Sequence, residues 1–264
     1  MIRFATNSFS WHPTYNKGIG DLTAEDICRQ AFECGAEGIE IEPARVSKAA
    51  LDEIGIVLSG ASTGGPLFDE WTVADADQVV SVAAEARAYG GEYVFFTAAP
   101  KGGWGADVPV TPDNLKLAGE RFNTLAQRVR AEGVTIGLHN HAATPQGLAA
   151  ELALLREHTD LALVGLYFDV AWAFTGGGDP LAILGEFGPR CMGFHFRNAT
   201  ADKVPTEGLE GGALDIPALV EEIKATGYSG WVALELWHRD DVPTTKSMVE
   251  CQTEALRYLK CLFA

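Results

Sequence analysis

The chain has 264 residues, with 20 basic side chains against 36 acidic ones and a formal charge of −16. Apolar residues make up 47% and charged residues 21%, a balance that excludes a disordered chain. The negative surplus argues against a nucleic acid partner, whose binders present basic stripes, and against an anionic membrane surface. Small anionic ligands stay open, since a few local cations can hold one.

Five cysteines (Cys28, Cys34, Cys191, Cys251, Cys261) are odd in number and lack metal-finger spacing, so the reduced thiols of a cytosolic protein are expected. Residues 1–6 carry no secretory-leader pattern. Apolar runs fall far short of the roughly 20 residues that span a bilayer. The cytoplasm is therefore the expected location.

In chain order, strand-like segments fall at 2–9, 38–42, 55–61, 93–98, 133–141, 164–170, 191–197 and 231–237, eight in all. Helix-like stretches lie between them. Thr23 and Asp26 form a capping-box pattern ahead of Ile27–Cys34. Thr111-Pro112 opens a helix to Arg130, Asp179-Pro180 opens Leu181–Phe187, and Asp215 with Pro217 opens the helix before the last strand. Gly90, Gly133 and Gly227 stand where helices should stop. Eight strand–helix units predict one α/β domain over 1–264, a single (β/α)₈ barrel. An open doubly wound sheet is the second choice, but no GxGxxG follows the first strand.

Successive strand residues point to opposite faces, so each of the last four strands divides into two classes. Val134, Ile136, Leu138; Leu166, Phe168, Val170; Met192, Phe194, Phe196; and Val232, Leu234, Leu236 are large and apolar, as packing against helices requires. The other class is small early and polar late: Gly137, His139, His141; Gly165, Tyr167, Asp169; Gly193, His195, Arg197; Ala233, Glu235, Trp237. Small residues suit a narrow barrel interior, and late ionisable ones fall at the C-terminal mouth, where this fold keeps its sites. His139, Asp169, His195 and Glu235 thus converge from four strand ends. Two buried carboxylates would repel and each needs a cation or donor. This mixed N/O set suits one divalent metal ion, with Mn²⁺, Co²⁺, Zn²⁺ and Mg²⁺ all compatible.

The succession GLHNH (137–141), FDVAW (168–172), GFHFRN (193–198) and LELW (234–237) resembles the xylose isomerase-like TIM barrel family over nearly the full length. That family includes sugar phosphate isomerases and epimerases, ketose 3-epimerases, inosose dehydratases and dehydroshikimate dehydratases. The resemblance implies one divalent metal, Mn²⁺ by preference, held at the ends of strands five to eight by Glu, Asp, His and Glu. Asp169, His195 and Glu235 match the last three, and His139 replaces the first. It implies a carbohydrate or polyol substrate, proton abstraction beside a carbonyl through an enediolate, and assembly as dimers or tetramers. Ketose 3-epimerases use two carboxylates, one on each face of the substrate, and only Glu235 of that pair is present. Trp172 also stands where the family often has the His of a DxxH, and Asn198 where it often has Asp.

Glu235 is accordingly a candidate catalytic residue, and Arg197 a candidate for holding a developing oxyanion. His141 suits either an acid–base role in place of the lost carboxylate or the orientation of a ligand. Glu40 and Glu42, on the interior parity of strand two, are candidates for binding hydroxyls or neutralising Arg197. Trp11, His12, Trp172 and Trp237 are candidate substrate-binding residues, although aromatic side chains also simply fill barrel mouths. His238 has the wrong parity for a ligand. Gly176, Gly177 and Gly178 read as a turn feeding a capped helix rather than a phosphate loop. Gly102, Gly103, Trp104 and Gly105 read as a substrate loop or a long connection. An isomerase or epimerase is expected first and a dehydratase or lyase second, with a non-catalytic sugar- or metal-binding subunit third. Endonucleases sharing this barrel need more metal ligands and a basic groove, and the sequence has neither.

Overall fold

The computed structural model describes residues 1–13, 19–104, 106, 108–239 and 241–264. Eight parallel strands close into a barrel in sequence order: β1 (Ile2–Asn7), β2 (Gly38–Glu40), β3 (Val57–Gly65), β4 (Tyr93–Ala98), β5 (Thr135–His139), β6 (Val164–Asp169), β7 (Cys191–Phe196) and β8 (Gly230–Leu234), with β8 paired to β1. Around it lie α1 (Ala24–Glu33), α2 (Lys48–Ile54), α3 (Val73–Ala88), α4 (Pro112–Ala131), α5 (Pro145–Ala153), α6 (Val170–Thr175), α7 (Pro180–Phe187), α8 (Ile216–Ala225) and α9 (Met248–Phe263).

The expected start signals hold. Thr23 and Asp26 close a capping box on α1, Thr111 and Asn114 do so on α4, and Asp179 and Asp215 cap α7 and α8. Gly176–Gly178 form the turn that delivers Asp179 to its cap, as read from the sequence. The start of β3 differs. Gly55 is not the first residue of β3 but the left-handed stop of α2, at φ 84°, a conformation that costs glycine least.

The outward-facing class of Phe168, Phe194, Phe196, Leu234 and their neighbours is buried against the helices in one continuous core. Fully burying each such side chain contributes roughly 1.5–3 kcal/mol. A second, smaller core fills the barrel lumen with Tyr93, Phe95, Tyr167 and Trp231 beside Ala5 and Ala233. These rings need room, and glycines supply it. A Cβ at Gly60 would enter the Tyr93 ring, and one at Gly193 the Tyr167 ring. Met192 departs from expectation: it packs into the lumen, not against the helices. The β6–β7 register passes from Leu166↔Cys191 to Tyr167↔Gly193, so Met192 is the extra residue of a bulge that turns it inward.

Six strands (β1, β2, β5, β6, β7 and β8) end earlier than the sequence suggests, and three of these ends shape the mouth. β2 stops at Glu40, since a 3₁₀ turn begins at Pro43 and leaves Glu42 exposed as its cap. β5 stops at His139, beyond which Asn140 continues the pairing through its side chain: Nδ2 donates to Asp169 O at 2.9 Å and Oδ1 accepts from Asp169 N at 2.9 Å. β6 stops at Asp169, whose Oδ1 accepts from Trp172 N at 2.6 Å and so starts α6.

Candidate metal centre at the barrel mouth

The four strand-end residues meet. Donor atoms of His139, Asp169, His195 and Glu235 all lie within 4.8 Å of one another, and all four residues are buried. His139 Nε2 is 3.2 Å from His195 Nδ1 and 3.6 Å from Asp169 Oδ2; His195 Nδ1 is 3.7 Å from Glu235 Oε1. Glu235 follows the last residue of β8, but its N–H still donates to Phe196 O at 3.1 Å, so the ladder positions it.

Outer contacts set both rings. Glu40 is acceptor-only, so the 2.6 Å contact between its Oε2 and His195 Nε2 places a proton on that nitrogen. His195 Nδ1 is left facing the cluster. His139 Nδ1 lies 3.1 Å from Thr97 Oγ1, which turns Nε2 inward. A carboxylate or hydroxyl behind each imidazole is the usual support of a metal-ligating histidine. Asp169 Oδ2 is the sharpest signal. It is buried with no hydrogen-bond partner, although its sister oxygen caps α6. A buried carboxylate oxygen left bare is costly, and a cation among these donors would satisfy it. The residues therefore fit a single divalent ion.

Charges in the cluster are strongly coupled. Burial raises the Asp169 carboxyl, but Arg197, His139 and His195 outweigh it and hold Asp169 well below the ordinary carboxylate range. Burial raises the Glu235 carboxyl, with His195 opposing only in part. Burial disfavours the His195 imidazolium, yet Glu40 and Glu235 lift it to about 9. A proton on Nδ1 then occupies the position a cation would take. His141 goes the other way, pushed down to about 3 by burial and by His139, so it is neutral at physiological pH.

The other sequence candidates divide. Arg197 is buried, with Nη2 3.9 Å from Asp169 Oδ2 and its guanidinium carbon 4.7 Å from the Trp172 ring centroid and 5.8 Å from that of Trp237. His141 packs against Trp172, ring centroids 4.1 Å apart and planes tilted by 40°. His12 lines a cavity of about 300 Å³ over the cluster, together with Phe9, Glu42, Ser62, Phe95 and His141. Trp11 does not join them. It is buried, with Nε1 donating to Gln30 Oε1 of α1 at 2.7 Å, so it faces the helical layer. Glu40 does not neutralise Arg197. Its hydrogen bonds come from Asn7 Nδ2 (2.8 Å), Tyr93 OH (2.7 Å), Tyr167 OH and His195 Nε2, and it also lines the cavity over the cluster. Asn198 holds the following loop, with Nδ2 donating to Leu209 O and Leu214 O. His238 is buried elsewhere, Nε2 donating to Glu207 O at 3.3 Å. Trp104 meets His141 edge-on at 5.3 Å, which brings the 102–105 loop to the site; Gly105 lies outside the described residues.

Several groups were missed, among them Asn7, Tyr93, Thr97, Glu151 and the cavity-lining Phe9, Arg45, Ser62 and Phe95. Asn7, Tyr93 and Thr97 follow from the same parity rule applied to β1 and β4. Glu151 had no local signal. From α5 its buried carboxylate accepts from His141 N at 3.2 Å and Ala142 N at 3.3 Å, fixing the turn after β5, and burial raises it to about 8.

The architecture and mouth together define an α/β barrel with a four-donor cage able to hold one cation. More narrowly, the chain belongs to the xylose isomerase-like TIM barrel family, whose sequence profile matches residues 28–260. It is 25% identical to the rhizopine catabolism protein MocC of Rhizobium meliloti, over 89% of this chain and 81% of that protein. It is 26% identical to the inosose dehydratase of Lacticaseibacillus casei, over 56% of this chain and 55% of that one, so the match spans about half of the latter. Among solved structures, an L-ribulose 3-epimerase superposes with a TM-score of 0.73 at 17% identity, covering 100% of this chain and 95% of that one. The 3-keto-D-glucoside 4-epimerase of E. coli superposes with a TM-score of 0.69 at 18% identity, covering 99% and 100%. At such identities these structures establish the fold alone. Among the described residues, no helix is long and apolar enough to cross a membrane.

Proposed function

We propose that this protein is a divalent-metal-dependent isomerase or epimerase that removes a proton beside the carbonyl of a sugar, keto-sugar or polyol-derived ketone. The observation that carries the reading is Asp169 Oδ2, bare and buried among three further donors. His139 Nε2, Asp169 Oδ2, His195 Nδ1 and Glu235 Oε1 would hold the ion. When bound, a divalent cation polarises a carbonyl and its neighbouring hydroxyl, which lowers the cost of removing the adjacent proton by several kcal/mol.

The chain's own residues supply the rest. Glu235, its carboxyl raised by burial, is the candidate base. Arg197 stays within reach of a substrate oxygen because Trp172 and Trp237 flank its guanidinium. His141, neutral because burial and His139 push it down, faces the cavity with one ring nitrogen able to donate and one able to accept. Phe9 and Phe95 wall the cavity and help exclude water.

A second reading has a specific observation behind it. With His139 in the strand-five position, the proton-handling pair is Glu235 and His141, not two like carboxylates. An unsymmetrical pair suits removing a proton on one side and releasing a β-leaving group on the other, as in the dehydratases among the relatives. The test is solvent exchange of keto-sugars and inososes in D₂O with Mn²⁺-loaded protein. Epimerisation or isomerisation returns deuterium to the carbon, whereas elimination releases water or an alcohol. Glu235→Gln should reduce exchange by about 10²–10⁴-fold in a folded protein, and retained exchange would remove Glu235 from its role.

A further inference from the structure

A second cavity of about 500 Å³ adjoins the one over the cluster, walled mainly by Phe68, Trp104, Val108, Val110, Ala150 and Trp172. His141 belongs to the walls of both. The two differ in balance. The smaller sets Asn7, Glu42, Arg45, Ser62, His139 and Glu235 among apolar walls, whereas the larger is mainly aromatic and aliphatic, with Lys101, Gln146 and Glu151 at its margin.

A bare sugar or cyclitol would fill the first cavity and leave the second against water. That would leave Trp104, exposed at 64%, and Val108 against water beside the half-buried Val110, Ala150 and Trp172. The seam between the cavities carries a further signal. His141 Nδ1 and Trp172 Nε1 are buried, and neither has a hydrogen-bond partner. An indole N–H only donates, so its missing partner is an acceptor. A ligand crossing the seam through an ether or glycosidic oxygen would bring one.

From this we infer that the second cavity seats an apolar, ring-sized substituent joined through oxygen to the sugar or polyol in the first cavity. The substrate class is then an aryl- or similarly substituted keto-sugar or cyclitol; this deepens the sugar-site reading above and rests on it. Glu151 is a positioning residue for the arrangement, because it fixes the backbone of His141 and Ala142 at the seam.

The test is calorimetric binding of paired phenyl and methyl glycosides of glucose, galactose and xylose to the Mn²⁺-treated full chain. In at least one pair the phenyl glycoside should bind about tenfold tighter or more, equal to ~1.4 kcal/mol. Ala150→Phe, which fills the cavity from α5, should collapse that ratio toward one. Trp104→Ala should lower it as well; Trp104 is largely exposed, so its loss does not threaten the fold. Equal binding within every pair, or no binding by any phenyl glycoside, overturns the inference, as does a ratio that both variants leave intact. The catalytic reading is judged separately, by cation uptake and deuterium exchange. A phenyl preference without either would sink that reading and leave the apolar cavity standing.

Discussion

Replacing Glu40 by Gln tests whether the cluster is built from below. Glu40 accepts four donations, two on each oxygen: Tyr93 and Tyr167 on Oε1, Asn7 and His195 on Oε2. Glutamine has one acceptor oxygen, so two of the four donors lose their partner. The two tyrosine hydroxyls, 3.3 Å apart, can pair and recover one. Each buried donor left unsatisfied costs roughly 1–3 kcal/mol, more beside a charge, so the net loss is about 2–4 kcal/mol. For a chain of this size that lowers Tm by roughly 5–15 °C. His195 also loses the carboxylate that fixes its tautomer, and removal of such a partner weakens metal binding by about 10–100-fold. Thermal melts and Mn²⁺ titration on Glu40→Gln, with the exposed Glu42→Gln as control, measure both effects. An unchanged Mn²⁺ affinity together with a Tm within about 2 °C of the native protein would refute the argument.

Asp169→Asn should keep the cap on α6, since Asn caps as well as Asp, yet lose cation affinity by more than about 100-fold, beyond the outer-partner range; equal loss of both would refute the division of labour between its oxygens. Gly193→Ala should destabilise by about 1–3 kcal/mol through the Tyr167 ring, whereas Gly185→Ala, with open space around it in α7, should stabilise by roughly 0.5–1 kcal/mol. The Glu151 carboxyl stands at about 8 in the fold against an ordinary 4.5. The native state therefore holds a proton more tightly than the unfolded chain. Its contribution is fully present below 4.5 and is lost as pH rises through 8. Glu151→Gln should gain stability relative to the native protein across that window in paired denaturant melts, and a constant difference would contradict the buried ionisation.

The barrel and its cluster were legible because parity and strand-end placement are local properties of sequence. The side-chain classes of β5 to β8 carry both, and they failed only at Met192, where a bulge inserts one residue and inverts the alternation. Trp11 misled because its position after β1 fits both the mouth and the helical layer; only its bond to Gln30 decides between them. Glu40 lies on the expected face and lines the cavity, but of its two expected roles the neutralising of Arg197 gives way to its bonds with Asn7, Tyr93, Tyr167 and His195. Its depth follows from the early end of β2, which the 3₁₀ turn at Pro43 imposes. Glu151 was invisible because its role exists only once α5 packs beneath the turn it fixes.

The bond from Glu40 to His195 joins residues 155 apart in sequence, one in each half of the barrel. All four donors of the cage come from β5 to β8, while the groups that aim its two imidazoles, Glu40 and Thr97, come from β2 and β4. A fragment holding the second half alone would possess every ligand and lack the means to orient two of them. If the cage takes up a cation as proposed, tight uptake would report that the ring has closed. Fragment complementation could be followed by metal affinity as directly as by spectroscopy of the fold.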